Sequence, residues 1–85
     1  MAQDAELMKL ILRKVDQMKG GQQGNINSPN IEIGGFSEDE IMENCLYLLN
    51  SGFIRGHKTK TSQFPHYPVV MIHEITDQGF TFLAK

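Results

Sequence analysis

The sequence predicts one small α+β domain spanning residues 1–85, and three observations carry that prediction. Two stretches, 4–19 and 37–50, repeat apolar residues at three- and four-residue steps between capping residues and glycines. Two later stretches, 53–59 and 67–75, change to the alternation of strands. The length, 85 residues, suffices for a single hydrophobic core and leaves little for a deep cleft.

The first helix is expected from Asp4 to Lys19, with Asp4 as cap and Glu6 near the positive end of the helix dipole. Leu7, Leu10, Ile11, Val15 and Met18 form its apolar stripe, widened by Met8 and Leu12, and Gly20–Gly21 stops it. "GGQQGNINSPN", residues 20–30, reads as a flexible loop. It is no phosphate loop, because no strand precedes it and no Lys-Ser/Thr pair follows. Ile31–Ile33 alternates as a short strand should, and Gly34–Gly35 turns the chain.

The second helix begins at Ser37, which with Glu40 spells a capping box. Ile41, Cys45, Leu48 and Leu49 face inward, flanked by Met42 and Leu46, and Ser51–Gly52 ends the helix. Glu43, Asn44, Tyr47 and Asn50 are left for the outer surface. In the second of the two strands Val69, Met71 and His73 share one face, and Val70, Ile72 and Glu74 the other. Thr76 caps a last short helix anchored by Phe82 and Leu83.

Two motifs, Leu48-Leu49-x-x-Gly52-Phe53-Ile54 and Ile75-Thr76-x-x-Gly79-x-x-Phe82-Leu83, carry a resemblance to winged-helix domains. The order of elements resembles in particular a family of short bacterial and prophage proteins of unknown function. The resemblance implies α1-β1-α2-β2-wing-β3-α3, with residues 57–67 as the wing and with duplex DNA as a partner class. It covers nearly the whole chain, but the motifs are structural and name no activity. One departure stands out. The helix that braces a recognition helix across DNA is lost here, or reduced to a turn within residues 22–30.

Charge separates the two candidate DNA contacts. Residues 36–52 hold Glu38, Asp39, Glu40 and Glu43 and no base, a net −4. Residues 53–68 hold Arg55, Lys58 and Lys60 and no acid, a net +3, plus His57 and His66. An acidic helix in the major groove is repelled by both phosphate rows, so the wing is the better contact. On this reading Arg55, His57, Lys58 and Lys60 meet the DNA backbone, while Asn44, Tyr47 and Asn50 on the helix are the residues able to reach base edges. Arg13, Lys14 and Lys19 would extend the basic patch, although alternating charge on a first helix ordinarily means a solvated face. The competing reading is a protein-interaction or self-association module. It uses Tyr47, Phe64 and Phe80, aromatics that the core does not obviously absorb, whereas Tyr67 near the loop is expected to cover the hydrophobic base of the hairpin.

Other chemistries find little. The lone Cys45 lies on the apolar stripe, so it can neither form an internal disulfide nor offer an exposed thiolate. His57 and His66 can approach one another in the hairpin, but two ligands make no structural zinc site, and no metal or cofactor is expected. The acids at the helix start lack an apolar pocket that would raise a carboxyl pKa, so no enzyme and no small-molecule substrate is expected. Eight basic and ten acidic residues leave a net charge of −2, which argues against bulk coating of nucleic acid. With no signal-peptide pattern at the start and no apolar run long enough for a membrane span, the expected setting is the bacterial cytoplasm.

Overall fold

In the computed structural model, which describes residues 4–19, 25–60 and 67–85, α1 runs Ala5–Lys19 behind Asp4. Asp4 caps it as expected, its Oδ1 accepting from the Leu7 amide at 3.1 Å. The buried stripe is Leu7, Met8, Ile11, Leu12 and Val15. Leu10, placed in the stripe from its spacing, is only half-buried. α1 packs against the next helix, the last helix and the sheet together, so its buried face is wide and centred on the Met8–Leu12 side.

The strand expected over Ile31–Ile33 lies earlier, as β1, Ile26–Asn27. A 3-10 turn, Ser28–Asn30, follows it, with Pro29 in the first turn. Ser28 is fully buried, and its Oγ accepts the Val70 amide at 3.0 Å, one backbone donor that β1 is too short to reach. Part of the expected 20–30 loop is thus ordered by pairing, while residues 20–24 lie outside the described residues. Ile31 still plugs the core and Glu32 points out. Alternation reported which side each residue faces; it could not report whether a neighbouring strand was present.

A turn closed by the Phe36 amide on the Ile33 carbonyl (3.3 Å) leads into α2, Glu38–Asn50. Gly35 supplies the positive φ, 91°, that this turn requires. The capping box is formed in both directions: Glu40 N to Ser37 Oγ at 3.2 Å, and Ser37 N to Glu40 Oε1 at 2.9 Å. At the other end Phe53 N reaches the Leu48 carbonyl (3.0 Å) and Gly52 N the Leu49 carbonyl (3.2 Å). That is a Schellman motif, with Gly52 at φ 80° in the left-handed position.

β2, Ile54–Thr59, and β3, Val69–Ile75, complete an antiparallel sheet of order β1-β3-β2. The β2–β3 register shifts between Arg55, opposite Glu74, and Gly56, opposite Ile72, which leaves His73 as an extra residue. This bulge corrects the expected faces. Ile72 is buried, but Glu74 has swung outward opposite Arg55, and Ile75 takes the core position. Gly56 is required beside the bulge because a β-carbon there would strike the Met71 carbonyl.

The chain ends in α3, Asp77–Leu83, capped by Thr76 Oγ1 accepting from Gly79 N at 3.1 Å. The two motifs noted in the sequence meet at this point. Thr76 Oγ1 donates to the Gly52 carbonyl at 2.6 Å, and Thr76 N to the Phe53 carbonyl at 3.0 Å. Phe53 stacks on Phe82 with centroids 4.6 Å apart. The end of α2 and the start of α3 are one hydrogen-bonded knot.

Candidate interaction surfaces on the hairpin and the middle helix

The hairpin cations do not act alike. Arg55 pairs with Glu74, Nη1 to Oε2 at 2.6 Å, so the bulge that frees Glu74 from the core neutralises the first wing cation. Lys58 and Lys60 are exposed, and among the described residues neither has a carboxylate partner. Phe64 and His66, proposed contacts in the hairpin loop, lie outside the described residues. Arg13 and Lys14 border a groove with Leu10, Gln17 and the Glu32–Gly34 segment, and no described hairpin residue lines it.

On α2 the expectation for Asn44 is overturned. Expected on the outer face, it is 2% exposed. Its Nδ2 donates to the Glu40 carbonyl at 2.9 Å, and its Oδ1 accepts the Asp4 amide at 3.0 Å. Asn44 therefore fastens the start of α1 to α2, and an amide held at both ends inside the protein cannot read a base. The reason is geometric: position 44 follows Ile41 by three and precedes Leu48 by four, within the arc that α1 covers.

Glu43, likewise expected outside, is also buried. Tyr47, one turn along, donates its hydroxyl to Glu43 Oε2 at 3.0 Å. This hydrogen bond, then partial desolvation and the Glu43 charge, push the Tyr47 phenol above its ordinary value. Tyr67 comes to the same carboxylate from across the fold, ahead of β3. Its phenol is raised by desolvation first, then by the charge of Glu43, a hydrogen bond to it and the charge of Asp39. The i, i+4 spacing of Glu43 and Tyr47 was legible in the sequence; the arrival of Tyr67 was not. The result is a half-buried patch of two phenols around a carboxylate, next to the exposed acids Glu38 and Asp39.

Elsewhere Phe80 is 46% exposed on α3. Cys45 is fully buried, and burial pushes its thiol up to about 12, which removes it as a nucleophile near neutral pH. Among the described residues no group of three or more His, Cys, Asp or Glu is placed to hold a metal ion. His57 pairs with His73 among the described residues, Nδ1 to Nε2 at 3.1 Å, and His73 Nδ1 lies 2.6 Å from Asn25 Oδ1. Among the described residues no helix is long and apolar enough to cross a membrane.

The chain matches no protein-family model, no curated protein and no solved structure. What its fold defines is a class: a small mixed α/β protein with three α-helices and a three-stranded antiparallel sheet among the described residues.

Proposed function

We propose that this chain is a winged-helix-like module without enzymatic activity that acts by binding another protein through the outer face of α2. On this reading the 3-10 turn Ser28–Asn30 stands where a helix-turn-helix has its bracing helix, and the β2–β3 hairpin is the wing. The observation that carries the proposal is the make-up of α2. Its outer face presents the exposed Glu38 and Asp39 and the half-buried Tyr47 ring with no cation, while Asn44 is turned inside. Such a face repels phosphate and suits a cationic protein segment, offering carboxylates for charge and phenol rings for cation–π contact.

The test is fluorescence anisotropy of a labelled Lys/Arg-rich helical peptide over a salt series. Binding should weaken with salt and fall about five- to thirtyfold in Asp39→Lys combined with Tyr47→Ala, each lost contact contributing about 0.5–1 kcal/mol. Equal affinity in wild type and variant would remove α2 as the surface. Lys58 and Lys60, exposed and without carboxylate partners among the described residues, favour a second reading in which the hairpin touches a DNA backbone. Two phosphate contacts predict a log–log salt slope of about −1.8 on duplex DNA, abolished by Lys58→Glu with Lys60→Glu. Sedimentation of the pure protein separates a foreign partner from a second copy, in which the acidic α2 rim would meet the Lys58–Lys60 hairpin.

A further inference from the structure

The exposed face of the sheet gathers a polar cluster of which the readings of the function use His57 at most. His57 on β2, His73 at the β3 bulge and Asn25 just ahead of β1 are joined in a row across all three strands. With both rings neutral, the chemistry of the atoms sets the direction of every hydrogen. A thioether can only accept, so Asn25 Nδ2 donates to Met71 Sδ at 3.4 Å, and this orients the amide. Asn25 Oδ1 must then accept from His73 Nδ1 at 2.6 Å. That leaves His73 Nε2 as a lone pair, accepting the hydrogen of His57 Nδ1 across 3.1 Å. One hydrogen is held between two imidazole nitrogens.

We propose that this pair is a transition-metal site in which a late divalent ion, copper(II) foremost, takes the place of that hydrogen and is chelated by His57 Nδ1 and His73 Nε2, the proton leaving His57 Nδ1 for solvent as His57 Nε2 takes one up. Two imidazole nitrogens at about 2.0–2.1 Å from one ion stand about 2.8–3.0 Å apart at a 90° angle and about 3.3–3.4 Å at a tetrahedral one, and the observed 3.1 Å lies between. The rings are tilted by 37°, and the exposed His57 ring needs only a modest rotation to aim its lone pair at a shared point. Asn25 performs the task of a second-shell partner, holding the far nitrogen of His73 protonated so that Nε2 stays available. The hairpin supplies the spacing: His57 lies opposite Met71, and His73 is its diagonal neighbour. Both ligands are neutral and water fills the remaining positions, so the site binds in the manner of an open chelate, not a closed structural zinc centre. Among divalent ions, imidazole nitrogen holds copper most strongly, with nickel and zinc behind. The nearby Arg55 is already paired with Glu74, which removes one source of repulsion toward a cation.

The experiment is calorimetric titration of the full chain with CuCl2, NiCl2 and ZnSO4 at neutral pH, together with electron paramagnetic resonance of the copper form. The expected result is one copper per chain with nitrogen hyperfine structure from two imidazoles, and weaker nickel and zinc binding. His57→Ala or His73→Ala should lower copper affinity at least tenfold, and Asn25→Ala should weaken it several-fold without abolishing it. Circular dichroism melting shows whether the variants are folded. A readout that needs no variant is protection of His57 and His73 in the wild-type protein from diethylpyrocarbonate by copper. Copper affinity unchanged in the His57→Ala/His73→Ala double variant, or equal modification of both histidines with and without copper, overturns the proposal.

Discussion

At position 79 a single methyl group would be felt throughout the C-terminal third of the chain. A β-carbon there collides with the Phe53 carbonyl oxygen and crowds Ile75 Cγ2 at 2.7 Å. Since the oxygen belongs to backbone held by Thr76, α3 itself has to move. Gly79→Ala should cost roughly 1–3 kcal/mol, read as a lower denaturant midpoint at unchanged slope. Gly34→Ala is the matched control: a β-carbon there meets nothing within 4 Å, and stability should stay within about 0.5 kcal/mol. Cys45 yields a prediction in pH. Its folded thiol ionises near 12 against an ordinary value of 9.0, so the folded state holds its proton where the unfolded state releases it. The stabilisation is therefore complete below pH 9 and is lost as pH rises toward 12, by up to about 1.4 kcal/mol per pH unit from this group. Urea midpoints across that range should fall less steeply in Cys45→Ala than in wild type, and the native thiol should react with a disulfide reagent at pH 8 only as fast as the protein opens.

Among the elements, those with ends set by local chemistry were legible in the sequence. The Ser37–Glu40 capping box, the Gly52 stop and the Thr76 cap need only neighbours in the chain, and each is found where the residues placed it. Elements that depend on a distant partner were not. β1 sits at Ile26–Asn27 because Ile72 and Met71 are there to pair with it, and that register cannot be read from the loop itself. The same limit governs the candidate surfaces. Arg55, Lys58 and Lys60 are on the hairpin as expected, but the bulge at His73 decides that Arg55 meets Glu74 and that His57 meets His73. Helical spacing placed Glu43 and Asn44 outside, whereas Asn44 is claimed by the start of α1 and Glu43 by the Tyr47 and Tyr67 phenols, neither of which one helix's periodicity reports.

At the level of the whole molecule, charge is divided between an acidic α2 rim and two exposed hairpin lysines, and Arg13 and Lys14 add their charge to a separate groove. This division, more than the net −2, is why α2 and the hairpin should answer differently to salt and to partner. The knot between Gly52, Phe53 and Thr76 has a dynamic consequence as well. A seven-residue terminal helix is normally the first part of a protein to fray. Here its first turn is anchored to the backbone that ends α2. The Thr76 and Gly79 amides should consequently exchange with deuterium as slowly as Val70 in the central strand, and Thr76→Val should speed exchange at Gly79 ahead of Val70. The chain's tail is thus mechanically part of its middle, so any load applied to the last helix is passed directly to the tip of the helix that bears the acidic face.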